Sequence, residues 1–173
     1  PPDGTSVFRP KHSTVFSSDS LLAAEDHLLQ RARTATGPTI DLTTVGTITS
    51  KADSEGRVLG PDQAAALASV AVPGRVVDVL VGPAGAGKTA AMNAPRRAWE
   101  TEHGAGSVVG LAPSAVAAQV LADDLRIATE NTAKWWTTHQ HTGVTFKAGQ
   151  LVIIDEASLA ETLSLNRITL AAE

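Results

Sequence analysis

Residues 76–89 read VVDVLVGPAGAGKT, an apolar run that ends on glycine and is followed within eight positions by a lysine and a threonine. Only Asp78 interrupts the aliphatic side chains of 76–81, which is the pattern of a strand buried on both faces in a parallel sheet. Gly82, four further residues, then Gly87, Lys88 and Thr89 match G-x-x-x-x-G-K-[ST]. A polyphosphate is bulky and covered with oxygen, so a loop that holds it must bring backbone N–H groups close, where any Cβ would intrude. Gly85 and Gly87 remove that obstruction and allow the positive φ angles by which successive amides turn inward. A helix starting near residue 88 adds the unpaired donors and partial positive charge of its N-terminus. The spacing makes Gly82, Pro83, Ala84, Gly85, Ala86, Gly87, Lys88 and Thr89 the expected ATP-binding loop. Lys88 is placed to reach the β- and γ-phosphates, and the Thr89 hydroxyl to be a ligand of Mg²⁺. The alternative, a glycine turn with an incidental lysine, leaves the strand–loop–helix context unexplained.

Along the rest of the chain, strands alternate with helices. Leu21, Leu22, Leu28, Leu29 and Ala32 fall on one helical face behind Ser18 and Asp19 as caps, predicting a helix over 19–34. Residues 35–60 are ambiguous, since Val45, Ile48 and many threonines suit a strand while Asp41 suits a helix cap. Pro61 opens an Ala-rich helix that runs to Val72 and stops at Pro73-Gly74. After the loop the pattern predicts a helix over 88–102, a strand over 107–112, and a helix behind Pro113-Ser114 with Ala115, Ala118, Leu121, Ala122 and Leu125 on one side. A short helix is expected after Thr129, with Trp135 and Trp136 in need of burial. A third strand covers 151–154. This order predicts an α/β fold with a parallel sheet built from βαβ crossovers. Pro95, in the second turn of the helix after the loop, crowds the carbonyl of Ala91 at a cost of roughly 3 kcal/mol, which fits a kink, a shortened helix or a degenerate copy.

Asp155-Glu156 directly follows the third strand, at the edge where open α/β sheets bind ligands. Asp155 is expected to hold Mg²⁺ through its water shell, because Mg²⁺ dehydrates reluctantly, and Glu156 to orient the attacking water. Lys88, Asp155 and Glu156 are thus the expected catalytic set, and Thr89 with Asp155 the metal ligands. The competing reading is a solvated acidic pair at a helix start.

Composition narrows the alternatives. The 173 residues contain no cysteine and no tyrosine, so disulfides, thiolate metal sites and thiol or phenol nucleophiles are excluded. The net charge of −4 argues against a grip on nucleic acid by bulk electrostatics. No secretory signal or membrane-length apolar run is present, so a cytoplasmic setting without membrane contact is the expectation. The chain opens on Pro1-Pro2 and stops within an apolar-periodic stretch, which reads as a fragment.

The runs VVDVLVGPAGAGKTAAM, GSVVGLAPSAVAAQVLADDLRIATENTAKWW and GQLVIIDEASLA resemble motifs I, Ia, Ib and II of RecD-like superfamily 1 helicases. More narrowly, they resemble the helicase region of actinobacterial MobF-type conjugative relaxases, over about residues 13–170. The resemblance implies a RecA-like P-loop NTPase domain over 61–173, incomplete, behind a partly helical accessory segment at 1–60. It implies ATP and Mg²⁺ as cofactors and single-stranded DNA as partner of the full-length protein. It also implies that Gln63 reads adenine, an amide offering donor and acceptor together; otherwise Gln63 is a polar residue in an Ala-rich helix. Pro113 and Ser114 match motif Ia, and Asn131, Thr132 and Lys134 fall in motif Ib. Such loops track a DNA backbone through hydroxyls and amides, although Ser114 and Thr132 equally suit helix capping. Trp135 and Trp136 are candidates for base stacking or for core. His139 and His141 lack a third ligand and read as solvated loop residues.

Departures from the family are as informative. Without tyrosine, strand nicking is not expected. The chain ends before the Gly-Asp-x-x-Gln segment and the second motor domain with its arginines, on which phosphoryl transfer relies. The absent strand of motif III would leave a gap between the strands of the loop and of Asp155, or open edges. An isolated fragment is then expected to be unstable or rearranged, a nucleotide-binding module without turnover.

Overall fold

A computed structural model describes residues 17–53, 56–82 and 88–173, the last stretch with side chains from residue 91. Helix α1 (Asp19–Arg33) begins where the Ser18 side chain accepts from the Leu21 amide at 3.2 Å. Its inward face agrees with the expected one in part: Leu21, Leu28 and Ala32 are half-buried, but Leu22 and Leu29 are exposed and the buried residues are Ala24 and Arg31, because α1 packs on α7 (Thr162–Ala171), where Arg31 has partners. The Arg31 Nε donates to Glu173 Oε1 at 2.7 Å and its Nη1 to Asn166 Oδ1 at 2.8 Å. A guanidinium so satisfied can lie where a leucine was expected.

The ambiguous segment resolves to a helix, α2 (Leu42–Ser50), capped by Asp41 Oδ1, which accepts from the Thr43 amide at 2.7 Å. One local hydrogen bond at the right place outweighs the strand preference of threonine. Helix α3 (Pro61–Ala71) has Pro61 at its first position, as expected. Behind it the chain turns at Gly74, whose φ of +63° and whose approach to Gly37 both demand glycine; a Cβ there would stand 2.7 Å from the Gly37 carbonyl oxygen. Helix α4 (Lys88–His103) runs unbroken through Pro95, so of the options for that proline the shortened helix is ruled out.

Strands β1 (Val108–Ala112), β2 (Ala128–Asn131) and β3 (Leu151–Ile154) form a parallel sheet in the order β2-β1-β3. Register pairs Leu111 with Glu130 on one side and with Ile154 on the other. Helix α5 (Ala115–Leu125) joins β1 to β2, and α6 (Thr132–Thr142) follows β2 directly. Strand β2 was hidden in the sequence. Its residues are half-buried or exposed, so they carry no apolar pattern, and the helix expected after Thr129 starts three residues later behind Asn131.

The core lies between this sheet and α2, α3, α4 and α5, with Ile40, Leu67, Val108, Leu121 and Leu125 nearly inaccessible. Each such side chain stabilises the fold by about 1.5–3 kcal/mol relative to exposure. Trp99, also buried, donates its indole N–H to the Gly149 carbonyl at 2.9 Å and so ties α4 to the turn before β3.

Residues 76–82 are the main correction: they form no strand. Val79 is 74% and Val81 87% exposed. A strand needs a ladder partner for its N–H and C=O groups. β1 is already paired on both sides, and residues 76–82 pair with neither β2 nor β3. The stretch is instead held by the Val76 amide on the Thr34 carbonyl at 3.0 Å. Asp78 pairs with Arg75, whose guanidinium also donates to the Ser69 carbonyl.

Candidate nucleotide site

The three strands run in one direction, so their carboxyl ends share an edge, where register sets Glu130, Leu111 and Ile154 side by side and Ala112 beside Asn131 one step further on. Pro113-Ser114, Asn131-Thr132 and Asp155-Glu156 therefore gather on one rim. Asn131 joins two of these loops. Its Nδ2 donates to the Pro113 carbonyl at 3.0 Å, and its Oδ1 accepts from the Ala133 and Lys134 amides. Capping thus falls to Asn131, and Thr132 occupies the first turn of α6. Ser114 does cap α5, accepting from the Ala117 amide at 3.1 Å, while its exposed position leaves the hydroxyl reachable from solvent. Lys134 is engaged by Glu130 at 2.6 Å. The Lys134 side chain, and after it the Asn131 amide, hold the Glu130 carboxyl below its ordinary range.

Asp155 continues β3, its amide donating to the Leu111 carbonyl at 3.0 Å. One carboxylate oxygen, Oδ1, accepts from the Glu156 amide at 2.9 Å. Its other oxygen has no partner among the described residues. Glu156 sits at φ +49° and ψ +37°, a left-handed conformation that a non-glycine residue holds at a cost of about 1–3 kcal/mol. That turn leaves the Glu156 side chain exposed and Asp155 half-buried. A carboxylate with one oxygen fixed and one open at a sheet's carboxyl edge fits a hydrated Mg²⁺, which needs few protein ligands. Among the described residues no group of three His, Asp or Glu side chains forms an all-protein metal cage.

Of the expected loop, Gly82 is half-buried in irregular chain. Pro83, Ala84, Gly85, Ala86 and Gly87 lie outside the described residues. Lys88 and Thr89 open α4 as expected, so a helix N-terminus, whose first amides have no partner within the helix, follows the glycine segment in the chain.

Gln63 lies in a cavity of about 160 Å³ between α3, the segment before it and α4. Leu59 and Val58 line one side, and Asn93, Ala94 and Arg97 of α4 the other. That is small beside a typical ligand pocket and suits one planar ring. The Gln63 side chain is partly committed, its Oε1 accepting from the Gly60 amide at 3.1 Å as half of a helix-capping arrangement. Asn93 and Arg97 were missed by sequence reasoning. The available signal was their i, i+4 spacing on the helix after the loop, on a face turned to the helix of Gln63.

Trp135 and Trp136 are half-buried rather than core; α6 has no buried residue. Trp135 stacks on Phe146 at 4.5 Å and on His139 at 5.3 Å, and Arg167 lies over Trp136 at 5.4 Å. His139 and His141 each bond a backbone carbonyl through Nδ1.

A parallel sheet flanked by helices with an acidic pair on its carboxyl rim, in a chain whose glycine-lysine segment runs into the start of a helix, fits an incomplete P-loop nucleotide-binding domain. The chain belongs to the AAA domain family, whose match covers residues 58–173, more than half of its length. That makes the matched part a P-loop, helicase-like region of a class that binds ATP or another nucleotide, usually with Mg²⁺. No curated protein and no solved structure matches the chain. No helix among the described residues is long and apolar enough to cross a membrane.

Proposed function

We propose that this chain is the ATP-binding part of a DNA helicase or translocase motor of a conjugative relaxase of the MobF type, with residues 1–60 an accessory segment. In the full-length protein it couples ATP hydrolysis to movement on single-stranded DNA. The reading rests on one observation above the rest: Pro113-Ser114, Asn131-Thr132 and Asp155-Glu156 share the rim of one parallel sheet. A change at Asp155 is then transmitted to loops that offer a hydroxyl and amides to a phosphodiester backbone. Gly82 to Thr89 supply amides, Lys88 a positive charge, and Thr89 and Asp155 the oxygens toward Mg²⁺, which when bound neutralises phosphate charge. Glu156 holds the proton-accepting position for the attacking water.

A second reading, a nucleotide-binding module without turnover, is favoured by residues 76–82 standing outside the sheet, since the loop then lacks a paired strand behind it. DNA-stimulated ATP hydrolysis separates the two. The motor reading expects single-stranded DNA to raise the hydrolysis rate and Glu156→Gln to remove that rise while ATP binding persists. Binding without any stimulated turnover supports the module instead, and loss of neither binding nor turnover in Lys88→Ala sinks both.

A further inference from the structure

Trp135, Trp136, His139 and Phe146 form one ring cluster outside the core, every member half-buried. Trp135 is nearly parallel to both Phe146 and His139, and Trp136 lies 5.3 Å from His139. From α7 the exposed Arg167 guanidinium reaches this cluster, 5.4 Å from the Trp136 ring centroid. Arg167 has no ion pair or hydrogen bond among the described residues, so the indole face is what orients it.

The two helices joined in this way begin at two different loops of the rim. α6 starts at Thr132 behind its cap Asn131, which also holds the Pro113 carbonyl. α7 follows Asp155-Glu156 through residues 157–161. That connection is bonded to itself: the Leu159 amide donates to the Glu156 carbonyl at 2.8 Å, the Ala160 amide to the Ala157 carbonyl at 3.1 Å, and the Leu165 amide to the Glu161 carbonyl at 3.0 Å. Yet no side chain in 156–161 is buried. A stretch that is internally bonded but unanchored by packing moves as a unit when its first residue moves.

Glu156 is that first residue, and its left-handed backbone is strained. Its amide is held by Asp155 Oδ1, so the carboxylate offered to a cation also steadies the strained turn. Drawing the Asp155 carboxylate toward a cation alters that bond, and α7 then shifts against Trp136.

We infer that Arg167 is a positioning residue whose contact with Trp136 passes the state of the Asp155-Glu156 turn to α6, and so to the Asn131-Thr132 loop. This rests on the motor reading above and assigns a route between its two ligands.

The test measures the affinity of the 173-residue chain for a fluorescently labelled single-stranded oligodeoxythymidine, with and without Mg²⁺ and a non-hydrolysable ATP analogue. The quantity read is the ratio of the two affinities. In the wild type a ratio of roughly fivefold or more, in either direction, is expected. Arg167→Met removes the cation and keeps the stem, and should bring the ratio roughly two- to fivefold closer to one, while Arg167→Lys retains it. Trp136→Leu should act like Arg167→Met, and the double variant should be no worse than either single one. An arginine with a merely structural role would weaken both affinities alike and leave the ratio unchanged. A wild-type ratio of one, or a ratio untouched by Arg167→Met and Trp136→Leu, overturns the inference; the motor reading then still stands, provided nucleotide and DNA each bind. Failure of the wild type to bind either ligand overturns both.

Discussion

Replacing Gly110 with alanine tests the packing of the sheet at its centre. A Cβ there would stand 2.7 Å from Thr129 Cγ2, 2.8 Å from Leu121 Cδ2 and 3.3 Å from Ile127 Cδ1. Two effects compete. Alanine lowers the entropy of the unfolded chain and so favours folding by about 0.5–1 kcal/mol. Overpacking costs about 1–3 kcal/mol when neighbours cannot withdraw, and here they cannot. The Thr129 hydroxyl donates to the Ala118 carbonyl at 2.7 Å, which fixes its methyl, and Leu121 is 1% exposed on the helix that crosses the strand. The clash wins, and Gly110→Ala is expected to destabilise by about 1–2 kcal/mol net. Urea denaturation reads this as a lower midpoint at unchanged slope. Thr129→Ser removes one obstructing methyl and keeps the hydroxyl, so in the Gly110→Ala background it should recover part of the loss, the contact with Leu121 remaining. A Gly110→Ala chain as stable as wild type, or one that Thr129→Ser fails to rescue, would show that β1 and α5 are not packed this closely.

Three further outcomes are expected. Ser114→Ala removes the α5 cap and should cost about 1 kcal/mol, measurable as a lower urea midpoint, with Ser114→Asp retaining most of the stability. Arg31→Met keeps the stem but leaves Glu173 and Asn166 without their donor; because Glu173 is itself half-exposed the loss should be about 1 kcal/mol, and amide exchange should quicken in α1 and α7 before the sheet. Asp41 is held below its ordinary value of 3.8 by the Thr43 amide first and the Thr43 hydroxyl second. Its folded value lies below its unfolded one, so the stabilisation is present above about pH 4 and lost as pH falls through the folded value. Amide exchange of α2 should accelerate in that window, and Asp41→Asn should flatten the dependence.

Much of the fold was legible because its signals are local. Pro61 marks a helix start because the first helical position needs no N–H, and Ser114 because its hydroxyl satisfies an amide three residues on, and the apolar runs of β1 and β3 are short, continuous and flanked by turns; Asp41 is as local a cap, but the β-preferring threonines behind it left that segment open. Asp155-Glu156 was legible for the same reason, since an acidic pair immediately after such a run can only stand at the strand's end. β2 was not legible, as its residues are half-exposed and alternate nothing.

The helix starts at Pro61 and Ser114 and the place of Asp155-Glu156 at the end of a strand were determined by the sequence by itself, since each depends on atoms a few residues apart. Whether residues 76–82 become a strand and which face of α1 turns inward were decided by tertiary structure alone. A ladder partner for 76–82 and the carboxylate and amide that hold Arg31 can come only from distant parts of the chain. No local pattern records what a distant neighbour has already taken.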